Sequence, residues 1–274
     1  MTLCLTAFSS HLIKSDIQEL VPFIVRHAHG PQDTQPLQSV LIRVPNEEHS
    51  TSADILAWPV PNIDVEVHEL PTFLTATPST RLALSFRCIG DLGIDDDIEV
   101  CDIVMVCLPL NRLVTLATHD LSSRRQAGQG LAAQNFWHHL LPMWPLLQLV
   151  RLAPAVAHGF IATLLEDNGG REKPLLPSLT QLIMVNFPIY SPNLSNALRK
   201  RVEQRVPVKV LDVRMCSPLP NGRTEDWIQS LSNIVGEILH PARTYEAWEQ
   251  MESIPVRNAV AQGPFVDSED SSED

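Results

Sequence analysis

The chain has 274 residues, 44% hydrophobic and 5% aromatic, with a net charge of −12, so it holds enough apolar material for one large domain. The acidic balance excludes nonspecific nucleic-acid binding, which needs Lys and Arg to neutralise phosphates, and no apolar run approaches the roughly eighteen residues of a membrane span. Five cysteines without a C-x-x-C pair read as reduced, mostly buried residues of a cytoplasmic or nuclear protein, and MTLCLTAF lacks the basic start of a signal peptide.

Residues 2–8 alternate like a strand. Ser15-Asp16-Ile17-Gln18 forms a capping box, and Ile17, Leu20, Val21, Ile24 and Val25 follow at helical spacing, with a kink expected at Pro22. Leu37–Val44 is the second predicted strand, followed by a polar loop over 46–53. Residues 54–90 are harder to read: Ile63–His68 and Arg81–Arg87 alternate as strands, with no helix evident between them. Asp95-Asp96-Asp97 places carboxylates at a helix start, where the macrodipole favours them, and Ile98, Cys101, Met105 and Leu108 continue it to Pro109.

Leu113–His119 is the next strand, followed by a polar loop over 122–134 and a short helix from Phe136 to Leu141, stopped by Pro142. Leu146–Leu152 reads as a strand. Val156, Phe160, Ile161, Leu164 and Leu165 line one helical face, ended at Asn168-Gly169-Gly170. Leu179–Val185 and Val208–Val213 are strands flanking a helix with Ser191 at its N-cap and Pro192 in first position. Its buried stripe is predicted as Leu194, Ala197, Leu198 and Val202, and Arg199-Lys200-Arg201 as a solvated helix end. A last helix, 224–240, is expected to cap the sheet, and residues 256–274 to form an acidic disordered tail. The tail's last eight residues, DSEDSSED, hold five acids, leaving −7 on the rest of the chain.

Central apolar residues of the strands fall at Leu5, Val40, Leu84, Leu116, Val150, Leu182 and Leu211, mostly about 29–35 residues apart, with one longer gap of 44 that holds the extra strand near 63–68. This spacing predicts an α/β leucine-rich-repeat-like solenoid over 1–255, right-handed, with seven to eight parallel strands on the concave face and helices on the convex face. Leu179, Leu182 and Met184 fit an L-x-x-L-x-L skeleton, and Val208, Leu211 and Val213 fit it again.

PSLTQLIM, then LSNALRKRVEQRVPVKVLDVRMCS, then a helix with W-x-x-x-L resembles the C-terminal leucine-rich-repeat region of fungal F-box proteins, closest over 174–240 and recognisable over 110–165. The resemblance implies the substrate-binding part of a receptor in a cullin–RING ubiquitin ligase. No F-box-like segment is recognised in the chain, so binding to the cullin adaptor is not expected. The alternatives are a stand-alone repeat scaffold with no ligase role and an enzyme of an α/β class.

No G-x-S-x-G, Walker A, H-E-x-x-H or G-x-G-x-x-G motif is present, so no catalytic, cofactor or metal residue is assigned. His27-x-His29 and His138-His139 lack partnered carboxylates or cysteines at ligand spacing, Asp95–Asp97 lacks the glycine and spacing of a calcium loop, and Ser271 with Asp274 suits an acid-directed kinase only as a generic tail site. Equal offsets from the central residues place Arg43, Arg87, His119 and Arg214 in one column, with Arg151 alongside. A positive concave face is therefore expected, suited to a protein client with an acidic or phosphorylated segment, with neither nucleic acid nor membrane as partner.

Overall fold

The computed structural model describes residues 2–7, 19, 36–44, 46–47, 50–59, 82–89, 105–106, 108, 110–120, 136–166, 174–188, 191–216 and 223–240. All lie within one compact unit, Met1–Ala242. The strands are β1 (Thr2–Ala7), β2 (Ser39–Val44), β3 (Asn46–Glu47), β4 (Ser50–Trp58), β5 (Leu82–Ile89), β6 (Thr115–Asp120), β7 (Leu149–Leu152), β8 (Gln181–Val185), β9 (Val210–Met215) and β10 (Glu237–Leu239). The named helices are α1 (Pro154–Leu165), α2 (Pro192–Glu203) and α3 (Arg223–Leu231). A helical turn at residues 136–140 runs into the 3-10 turn Leu141–Met143. The predicted helices near 15–25 and 95–108 are described only at Glu19, Met105 and Val106, which are helical, and at Leu108, which lies in a bend; the strand expected at 63–68 and the tail at 256–274 lie outside the described residues.

One mixed sheet runs β1-β5-β4-β2-β6-β7-β8-β9-β10, with β3 against β4. From β2 through β10 along this order every pairing is parallel. Five of the predicted central residues meet in register, Val40 opposite Leu116, then Val150, Leu182 and Leu211, and Ile238, which reads as helical, continues the row. Three residues before each of these sits a buried aliphatic residue: Leu37, Leu113, Leu147, Leu179, Val208 and Val235. The entry turns repeat as well. The amides of Leu113, Leu147 and Leu179 donate to the carbonyls of Leu110, Trp144 and Leu176, three residues back. The carbonyls of Gln38, Val114, Gln148 and Thr180 each accept two successive amides from the next strand.

The N-terminal part corrects the expected order. β5, which carries Leu84, does not neighbour β6; it pairs parallel with β1 and antiparallel with β4. β4 in turn runs antiparallel to β2. The strand 50–58 takes up the second half of what reads as a polar loop over 46–53 and continues past it. Its second half is buried on both faces: Ile55 and Ala57 join the core, while Leu56 and Trp58 are buried on the other side. Such a strand reads as a continuous apolar run without alternation.

The core contains Leu116, Val150, Leu152, Leu182, Met184, Leu211 and Val213 from the sheet, with Ala157, Phe160, Ile161 and Leu164 of α1 and Leu194, Ala197 and Leu198 of α2 against them. α1 and α2 also pack on each other. Trp137, fully buried, meets the edge of Phe160 at 5.1 Å and donates its indole N–H to the Val156 carbonyl at 3.0 Å, so both its apolar body and its polar tip are satisfied.

Two C-terminal expectations change. α3 ends at Leu231 and the chain adds β10 in place of a capping helix. Leu231, Ile234, Val235, Ile238 and Leu239 do carry helical spacing, but Gly236 lies so close to Lys209 that a Cβ there would stand 2.9 Å from its carbonyl oxygen. Backbone approach of that kind forms the β9–β10 ladder. On α2, Arg201 replaces Val202 in the buried stripe: Arg201 is 1% exposed and Val202 40%. Positions 194, 197, 198 and 201 complete an i, i+3, i+4, i+7 face, and the long Arg stem serves as the apolar member.

Arg201 has no carboxylate partner among the described residues. Its guanidinium donates to the carbonyls of Leu175 at 3.0 Å, Leu176 at 2.9 Å and Leu179 at 3.3 Å, tying α2 to the turn that launches β8. Burial lowers its pKa to about 10. Lys200 donates to the Leu165 and Glu166 carbonyls at 2.7 and 2.6 Å, capping the C-terminal end of α1. Only Arg199 of this trio is exposed, bonded to Asn196 at 3.1 Å. The expected solvated cationic end is thus two structural clamps and one surface residue.

Candidate interaction face

Strand alternation sends every second side chain of β6–β10 away from the helices. In β7 and β8 the helix-facing residues are buried, while Leu149, Arg151, Gln181, Ile183 and Val185 on the outward side are partly open. The pairing aligns Ala117, Arg151, Ile183, Asp212 and Leu239 as one row across five strands.

Asp212 and Arg214 lie two apart on β9 and share a side of the strand. The carboxylate is 7% exposed and the guanidinium 62%. Arg214 donates from Nε to Oδ1 at 3.0 Å and from Nη2 to Oδ2 at 2.7 Å, and its own amide adds a bond to Oδ1 at 3.1 Å. This is a bidentate side-on pair. The bonds to Asp212 raise the pKa of Arg214.

Beyond Asp212 the register shifts: Ile183 faces Asp212, but Val185 faces Met215. Two residues of β9 therefore oppose Met184, as in a β-bulge, which re-aims the side chain that follows it. Met215 consequently reaches Arg151, whose Nη2 donates to its sulfur at 3.3 Å. Nε of Arg151 is buried and has no acceptor among the described residues. Desolvation lowers the pKa of Arg151, partly opposed by the Asp212 charge. Thr118, on the helix-facing side, accepts the Ala153 amide at 2.8 Å and donates to the Arg151 carbonyl at 3.2 Å, which fixes the backbone from which Arg151 projects.

The strand pairing brings only part of the expected cationic column together. Arg43 is opposite His119 in the ladder, but β4 separates β2 from β5, so Arg87 lies opposite Ser52, two strands away; of the Arg43 and Arg87 side chains nothing is described. The bulge places Met215, not Arg214, opposite Val185, and Arg214 is already engaged by an acid of its own strand. His119 is half-buried on the same outward side as Arg151. Asp212 and Met215 were not legible as members of this face. The spacing Asp212-x-Arg214 on one strand side is the signal that could have found the first; a bulge leaves no comparable signal for the second.

Among the described residues no group of three or more His, Cys, Asp or Glu could hold a metal ion, and His138 is paired with Glu166. No described helix is long and apolar enough to cross a membrane. No protein-family model, no curated protein and no solved structure matches the chain.

Proposed function

We propose that the chain is a non-catalytic protein-binding module of the leucine-rich-repeat kind, whose client lies across the outward strand face of β7–β9. The observation that carries this reading is that face itself: apolar Leu149, Ile183 and Val185 stand partly open beside Arg151, while the alternate residues of the same strands are buried under helices. A flat row of mixed apolar and cationic side chains on rigid strands suits a protein surface better than a small molecule, which needs a concave pocket.

The repeat character is supported from β2 onward by the in-register column Val40, Leu116, Val150, Leu182, Leu211 and Ile238 and by the recurring entry turns. It does not extend to β1, β5 and β4, whose pairing is not that of a simple solenoid. Service as the substrate-binding part of an F-box-type receptor rests on the motif resemblance over 174–240. The test is affinity isolation of the tagged chain from cell extract with quantitative mass spectrometry, comparing wild type, Ile183→Glu on the strand face and Arg199→Glu on the exposed side of α2. A client retained by Arg199→Glu and lost roughly tenfold or more by Ile183→Glu is the expected result. Equal recovery with both variants refutes the proposed face. Co-recovery of the cullin adaptor marks a ligase receptor, and its consistent absence beside a face-dependent client marks a stand-alone scaffold.

A further inference from the structure

Two arginines share the outward face, and their forks are in opposite states. Arg214 has its Nε/Nη2 edge filled by the two oxygens of Asp212. Arg151 has the same edge served by a thioether on Nη2 and, on Nε, by no acceptor among the described residues. A thioether is a weak acceptor, and a buried donor without a partner carries an unmet desolvation cost. We propose that Arg151 is the docking point for a carboxylate side chain, Asp or Glu, of the protein client.

The local charge favours a carboxylate over a phosphorylated side chain. Arg151, Asp212 and Arg214 together carry one net positive charge; a monoanion balances it, whereas a phosphate close to a dianion leaves excess negative charge beside the mostly buried Asp212. Position agrees with charge. Arg151 is flanked in register by Ala117 and Ile183, so the methylenes of a Glu or Asp side chain would lie along aliphatic neighbours. A modest rotation of the guanidinium off Met215 presents Nε and Nη2 as the planar two-donor edge that Arg214 already uses. This inference rests on the binding-module reading and names the chemistry its client must bring to one point of the face.

The direct test is titration of the full chain with a fluorescent, end-blocked hexaglutamate peptide against a hexaglutamine control at constant ionic strength. Saturable binding of hexaglutamate alone is expected, weakened roughly tenfold by Arg151→Gln, the loss of a charge-assisted pair, and unchanged by Arg199→Gln. No saturable binding, or equal weakening by the two variants, overturns the proposal. Thermal melts show whether Arg151→Gln remains folded; if it does not, Arg151→Lys, which keeps the charge without the fork, serves in its place, with several-fold weakening expected and unchanged affinity overturning the proposal. The two readings fail separately. A client lost with Ile183→Glu but bound equally by Arg151→Gln removes the carboxylate site and leaves the binding face standing. A client indifferent to both substitutions removes the face as well.

Discussion

Arg201→Met is the most informative perturbation of the fold. The native side chain is 1% exposed, and burial lowers its pKa to about 10; that drop corresponds to about 3 kcal/mol of penalty on the charged form at neutral pH. Against this stand two well-formed bonds to the Leu175 and Leu176 carbonyls and a longer one to Leu179. Bonds from a charged donor contribute about 1.5–3 kcal/mol each, so together they exceed the burial penalty. Methionine keeps the apolar stem and removes both terms, leaving a net loss of about 1–3 kcal/mol. Arg201→Ala also deletes two buried methylenes, about 0.8 kcal/mol each before any cavity term, so its loss is about 3–5 kcal/mol. The assay is equilibrium urea unfolding, with midpoints compared at constant m, together with hydrogen exchange at Thr180 and Gln181, the amides that follow the clamped turn. An Arg201→Met protein as stable as wild type would refute the reasoning, because it would mean the carbonyl bonds do not outweigh the cost of burying the cation.

Gly236→Ala puts a methyl 2.9 Å from the Lys209 carbonyl oxygen, which also accepts the Glu237 amide; a loss of about 1–3 kcal/mol is expected, with faster hydrogen exchange confined to β10, and protection equal to wild type would show that β10 docks without that close approach. Burial raises the Cys216 thiol from its ordinary 9.0 to about 11. Between those values the unfolded chain releases a proton that the folded chain keeps, so the thiol's contribution is whole below pH 9 and is lost as pH rises, by about 2 kcal/mol at pH 11. The stability difference between wild type and Cys216→Val should therefore shift by that amount between pH 8 and 11, and a pH-independent difference would exclude it.

Local pattern determined much of this protein. The period of the central apolar residues placed β6 to β9 side by side in the order they occur, because each strand–helix unit buries the same face and chain connectivity stacks the units one after another. Ser191-Pro192 marked the start of α2, since proline is suited to a first helical turn whose amide needs no partner. What periodicity could not decide were the places where long-range contact overrides local preference. Ile55 to Trp58 of β4 are buried on both faces of the strand, so alternation is erased there. The 231–239 segment has a helical pattern, yet its last part joins β9 because Gly236 permits close backbone approach. Arg201 is a cation in sequence, but three carbonyls of a distant turn make it a core residue. The outward face depended most on tertiary structure. A one-residue shift between β8 and β9 decides that Met215 meets Arg151, and a carboxylate two residues from Arg214 decides which of the two arginines is paired with an acid among the described residues.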